Sequence, residues 1–258
     1  MSSPNGSSLH HHHDLEKSAG APNAGQSSYA SNEGGAPLNL RNITPGGHPL
    51  DQSQPAFPVY HRKFANPAPL GLCGFALTTF VLSLINVRAR DVSVANVVVG
   101  PALWYGGLAQ LLAGMWEFAV GNTFGATAFS SYGAFWLSWA FITSPWSGIS
   151  AAYSSDPQML TTGVSFFLWG WFIFTFMMFI ASLRSSVALC SVFFFLTITF
   201  LLLAIADLHV GAWETIRTAG GAFGIITAFL AWYVAAANLI TPDTSYASLP
   251  VGSLARKD

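Results

Sequence analysis

Between residues 64 and 243 the chain alternates long apolar runs with short polar breaks. Each run is close to the roughly 20 residues a helix needs to cross a bilayer. The first covers 67–87 and stops before Arg88, Arg90 and Asp91. The second covers 96–116 and meets Glu117, and a link at 119–121 leads to the third, over 122–143. A looser connection rich in turn residues runs from Ser144 through Asp156-Pro157. The fourth run covers 162–183 and ends at Arg184, and the fifth covers 186–206. After Asp207, His209, Glu214 and Arg217 the sixth runs over 218–240 and is closed by Thr241-Pro242-Asp243. The pattern predicts an all-α integral membrane protein with six transmembrane helices bundled within residues 63–242. Residues 1–62 are dominated by Ser, Gly, Asn and Pro and read as a disordered leader, because they hold too little apolar surface to offset ordering. Residues 243–258 read as a polar tail.

The start of the first run, Asn66-Pro67-Ala68-Pro69-Leu70-Gly71-Leu72, is built like a helix N-terminus. Asn66 can accept an orphan amide hydrogen of the first turn. Pro67 and Pro69 lack only N–H groups that would have no helical partner there. The positive end of a helix dipole at this point favours an anion. Small residues recur every fourth position on Gly106-Gln110-Gly114, Ala126-Ser130-Ala134 and Gly220-Gly224. Such faces let backbones approach, within a subunit or between subunits.

Composition agrees with burial in lipid. The chain is 52% hydrophobic and only 8% charged, against about 25% charged in soluble domains. Its net charge of −1 provides no field that would recruit nucleic acid. With both termini on one side, that side carries Arg62, Lys63, Arg184, Arg256 and Lys257, and the other carries Arg88, Arg90 and Arg217. This bias predicts cytoplasmic termini. It also predicts that the acceptor patterns Asn5-Gly6-Ser7 and Asn42-Ile43-Thr44 stay unmodified. His10-His11-His12-His13 reads as a low-complexity run or tag remnant in preference to a metal tract. Cys73 and Cys190 sit in apolar runs, as small buried hydrophobes do.

No Lys lies inside a predicted span, and His209 is the one His near the membrane. There is no phosphate-cradling loop with a lysine, no zinc-binding helix motif, no Arg-rich helix and no nucleophile beside a base. The sequence therefore predicts no enzyme, no metal and no cofactor. Transport or a passive scaffold remains.

The stretch 66–72 resembles the signature of the acetate uptake transporter family, the succinate–acetate permeases of bacteria and fungi. Similar blocks follow in the same order: Tyr105-Gly106-Gly107-Leu108-Ala109-Gln110, Gly121-Asn122-Thr123-Phe124-Gly125, Ser131-Tyr132-Gly133-Ala134-Phe135-Trp136 and Phe194-Phe195-Leu196-Thr197. The long leader and the Asp243-Thr244-Ser245-Tyr246 tail look fungal. The resemblance implies a multi-pass plasma-membrane protein assembled as a hexamer, with one path for small carboxylates in each subunit. It implies proton-linked uptake of acetate, with succinate taken by some members. It also implies a constriction at Phe75, Tyr132 and Leu196.

Helical spacing puts Phe75, Thr78, Thr79 and Leu82 on one face. The two threonines read either as carboxylate ligands beyond the neck or as hydroxyls bonded to their own backbone. Tyr132 shares a stripe with Gly125, Phe129 and Trp136. An apolar neck makes a bare carboxylate expensive to pass, so a neutral acid, or an anion with a proton, is expected to cross. Glu117 reads as an interfacial helix-end residue or as the group that hands over that proton. Gln110 reads as interhelical glue or a substrate ligand, and Asn66 as a cap at the inner mouth. Asp207 and His209 form a weaker pH-sensitive candidate at the outer end. Besides proton-coupled carriage, the scaffold suits a channel-like facilitator. A non-transporting sensor acting through the leader is the alternative from another class.

Overall fold

The computed structural model describes residues 64–255; the leader with its His tract, and Arg256 and Lys257, lie outside them. Six long helices follow in order: α1 (Ala68–Asn86), α2 (Ala95–Ala119), α3 (Thr123–Thr143), α4 (Pro157–Ser182), α5 (Val187–Ala206) and α6 (Trp213–Leu239). No strand occurs among the described residues, and one isolated bridge joins Ser186 to Ser253. Five helices, all but α3, are long and apolar enough to cross a membrane. α3 is less apolar because it carries Gly125, Ser130, Ser131, Gly133 and Ser138 among its aromatics. Its hydroxyls at Thr127 and Thr143 bond to carbonyls one turn back, those of Thr123 and Trp139, at 2.8 Å each.

Four helix boundaries depart from the sequence pattern. α4 begins at Pro157 instead of 162, because Asp156 accepts the N–H groups of Gln158 and Met159, both at 3.1 Å, and proline fits the first helical position. α6 begins at Trp213 instead of 218. Its first turns absorb Glu214 and Arg217, whose charges are met by Arg88 at 2.9 Å and Asp207 at 2.6 Å. α2 runs to Ala119 and so takes Glu117 inside. α3 starts after Asn122, whose Oδ1 accepts the Gly125 N–H at 3.1 Å.

α1 packs on α2 and α6, α6 on α5, α5 on α4, and α2 on α3. The ring is completed between α3 and α4 by side chains. There Phe135 stacks on Phe167 at 5.6 Å, and Tyr132 meets Trp171 and Phe174 at 5.9 and 5.5 Å. The small-residue positions serve contacts within the subunit: Gly106 faces Thr78, Gly114 faces Ser130, and Gly224 faces Ser83. Ala134 instead is exposed. In α2 the segment Trp104–Ala109 widens into a π-helical turn, with the Gln110 N–H reaching the Tyr105 carbonyl. Such turns favour functional sites, and this one presents Gln110.

Part of the tail is bonded to the bundle. The carbonyls of Gly252 and Val251 accept the first-turn N–H groups Val187 and Ala188 of α5 at 2.7 and 3.1 Å. The Tyr233 hydroxyl donates to the Pro250 carbonyl at 2.6 Å. These bonds satisfy helix-start donors that would otherwise have no partner.

Candidate functional site

Two cavities lie within the ring. The larger, about 430 Å³, opens at the end where α1 finishes and α6 begins. The smaller, about 200 Å³, lies toward the opposite end, where α1 begins and α6 finishes. Phe75 of α1 and Leu196 of α5 line both, and they are the partition. Tyr132 of α3 lines the smaller cavity, its ring 5.7 Å from that of Phe75. Phe75, Tyr132 and Leu196 are 5%, 3% and 3% exposed, so all three side chains are buried where the cavities meet. Tyr132 is held by rings of α4 and α5, and its hydroxyl shares a 2.9 Å hydrogen bond with Thr175. That bond occupies the hydroxyl, and the face toward the cavity is apolar.

The two threonines of α1 separate. Thr78 is fully buried, donates to the Gly74 carbonyl at 2.9 Å and lies 3.5 Å from the Pro101 carbonyl. It lines neither cavity and joins α1 to α2. Thr79 lines the larger cavity, and its buried hydroxyl has no hydrogen-bond partner among the described residues. The same holds for the Trp136 indole Nε1, which sequence reasoning missed. Unpaired polar atoms at such depth are costly unless a ligand or water meets them. On the side of the larger cavity, the surplus hydrogen-bonding capacity therefore sits at Thr79 and Trp136.

On the other side, Gln110 is 1% exposed, lines the smaller cavity and has an unpartnered side-chain oxygen. Asn122 and Asn238 line it too. Neither was singled out from the sequence. Asn238 carried a readable signal, a polar side chain near the end of an apolar helix. Glu117, in the last turn of α2, is 1% exposed and so is packed within the bundle. Its Oε2 accepts the Asn122 Nδ2 at 2.8 Å, while Oε1 is buried without a partner. Glu117 does not itself line the cavity, whereas its partner Asn122 does.

Asn66 accepts the Ala68 N–H at 3.0 Å and donates to Asn238 Oδ1 at 3.2 Å. Pro67, not Asn66, stands at the cap position of α1; Asn66, one residue earlier, bonds the first helical N–H and ties α1 to the end of α6, which places both described ends of the bundle on one side. Asn66→Ala is expected to cost about 1 kcal/mol, because it removes both the bond to the Ala68 N–H and the link to Asn238. Thermal melting in detergent checks this; an unchanged melting temperature would remove the tie.

At the open end of the larger cavity, Arg88, Asp207 and Arg217 are among its lining residues. Burial pushes the Asp207 carboxyl up from the ordinary aspartate range, against the opposing pull of Arg217 and then His209. Arg88 pairs with Glu214 in the open, with both side chains more than half exposed, where such a pair contributes little.

A two-chambered helical bundle with an apolar partition suits a membrane pathway, and a family model covers most of it. The GPR1/FUN34/yaaH family model matches residues 50–256. The chain belongs to this family. It is similar to acetate permease A of Emericella nidulans, 50% identical over 202 residues, covering 75% of this chain and 67% of the relative. It is equally similar to ammonia transport outward protein 2 of Saccharomyces cerevisiae, 50% identical over 191 residues, covering 73% of this chain and 66% of the relative. The chain thus spans slightly less than two thirds of that yeast relative. The succinate-acetate/proton symporter SatP of Escherichia coli is 40% identical over 74% of this chain and 96% of its own length. The solved structure of the bacterial acetate channel SatP superposes with a TM-score of 0.62 at 34% identity, covering 74% of this chain and 100% of that one. The chain is a multi-pass membrane protein of a transport family.

Proposed function

We propose that the chain conducts acetate and related small carboxylates, succinate among them, across the plasma membrane through a pathway inside each subunit. The observation that carries this is the pair of cavities separated only at Phe75 and Leu196, with Tyr132 beside them. In this reading the three side chains form a hydrophobic gate that excludes water. Thr79 receives the carboxylate on the outer side and Gln110 on the inner side, while Asn66 shapes the inner mouth and Thr78 is structural. All six helices cross the bilayer, with α3 held in the ring between α2 and α4. Both termini lie in the cytoplasm, so the larger cavity opens outward. The hexamer follows from the family resemblance and fits the exposed apolar residues of α2, among them Trp104, Leu108, Leu112 and Met115.

A bare carboxylate loses its hydration in such a gate, so the charge crosses with a proton. Glu117 supplies it: Asn122 holds one oxygen, and the other is the free position for a proton. Glu117→Gln is expected to lower proton-driven acetate accumulation at least about tenfold and to flatten its pH profile. Labelled-acetate uptake in proteoliposomes under an imposed pH gradient measures both, and an unchanged profile removes Glu117 from the relay.

The same assay tests the function. Accumulation above equilibrium under a proton gradient marks a coupled carrier, whereas equilibration alone marks a channel-like facilitator. Ammonium flux without acetate flux would refute the carboxylate reading. Loss of uptake on deleting residues 1–60 would favour a role centred on the leader.

A further inference from the structure

The outer rim holds a group that the pathway above does not use. Arg217, in the second turn of α6, faces the larger cavity with its side chain 31% exposed. Among the described residues its hydrogen-bonding contacts all run through one nitrogen. Nη2 meets Asp207 Oδ1 at 2.6 Å and lies 3.4 Å from His209 Nε2. The guanidinium rests over the Trp213 ring at 5.1 Å, and Trp213 in turn lies 4.4 Å from the His209 ring. The group is held in place, and its Nε and Nη1 have no hydrogen-bond partner among the described residues. Asp207, with a side chain 14% exposed, also lines the cavity.

We propose that Arg217 is an outer docking site for the incoming monocarboxylate, with Asp207 as a built-in competitor that releases the site on taking up a proton. This rests on the carboxylate reading above. The argument is one of chemical identity. Arg217 already binds a carboxylate at the mouth of a chamber whose proposed substrate is a carboxylate, and a guanidinium is suited to planar two-point recognition of that group. While Asp207 is ionised, the arginine charge is compensated and a second anion gains little. Once Asp207 is protonated, the arginine is left uncompensated in a half-buried position and draws an anion from the chamber.

Linkage sets the sign. An anion on Arg217 makes the charged form of Asp207 less favourable, so each carboxylate bound brings one proton onto Asp207. The raised position of the Asp207 carboxyl brings this exchange closer to mildly acidic conditions. The charged neighbours of Asp207 are Arg217 and His209, while Arg88 and Glu214 pair with each other at the rim. α4, which packs on α5, contributes no titratable side chain between Pro157 and Ser182.

The test is equilibrium binding of labelled acetate to the full chain in nanodiscs, from pH 8 down to a pH at which acetate itself is still ionised. Wild type is expected to tighten by up to about tenfold per pH unit, the one-proton limit. Asp207→Asn, which keeps the side-chain shape and an acceptor for Arg217, should bind tightly with no pH slope. Arg217→Gln should bind at least about tenfold more weakly at every pH, and His209→Gln should keep the slope. A wild-type slope in Asp207→Asn, wild-type affinity in Arg217→Gln, or a flat profile in His209→Gln would each overturn the proposal. The Asp207→Asn result decides even if Arg217→Gln does not fold. If wild type takes up acetate in liposomes but these variants bind like it, only the docking site fails. If wild type neither binds nor moves acetate, the carboxylate reading itself fails.

Discussion

In Phe75→Ala the two chambers join, and acetate flux through the reconstituted protein is expected to rise about tenfold, a barrier change of roughly 1.4 kcal/mol. Discrimination by size falls with it, so that longer dicarboxylates pass more readily relative to acetate. Phe75 is one of two side chains lining both cavities, and its ring packs against Tyr132 at 5.7 Å. In the proposed gate, removing it takes away one wall, and water can then bridge Thr79 on one side with Gln110 on the other. Truncating a buried Phe costs about 3–5 kcal/mol in a tightly packed core. The cost here belongs at the low end, because cavities already flank the ring on both sides. Uptake of labelled acetate and succinate, with melting in detergent to confirm folding, reads the result. A folded variant with unchanged flux and unchanged size preference would move the gate away from Phe75.

The largest effect on stability is expected from Gly74→Ala, one residue earlier. A Cβ at Gly74 would lie 2.5 Å from the Tyr105 carbonyl oxygen, a backbone atom that cannot rotate aside. Relief requires α1 to move away from the π-helical turn of α2. Overpacking of this kind costs about 2–3 kcal/mol, or roughly 5–10 °C in melting temperature for a chain of this size. Gly170→Ala in α4 is the matched control, since a Cβ there meets nothing within 4 Å. Replacing a mid-helix glycine by alanine is expected to stabilise by up to about 1 kcal/mol. Thermal unfolding of both variants in one detergent separates them. Equal melting temperatures would mean that the α1–α2 contact is soft.

The contrast between neighbouring positions shows where the sequence stops being legible. Apolar run lengths predict helices at the right places because a bilayer imposes a length and penalises charge within it. The pattern misjudges the ends wherever a charge finds a partner. Arg217 looks like loop from its charge alone, yet it lies inside α6 because Asp207 is 2.6 Å away. Glu117 reads as an interfacial charge at a helix end, and it does lie in the last turn of α2, but it is buried there with Asn122 as its partner. Neither partner is at a spacing that helix periodicity pairs.

The sequence by itself determined the class of protein, the order of the long helices and, through its motif blocks, the family. These follow from local spacing and composition, which survive in a linear string. Only the tertiary structure decided that Phe75 and Leu196, on separate helices, form one partition between two chambers. It also decided that Thr79 faces a chamber while Thr78 faces α2, and that the glycine stripes of α2 join helices within the subunit. Helical periodicity gives each residue a face but not what that face meets. That depends on the angle and distance at which helices cross, which are set by packing along the whole ring.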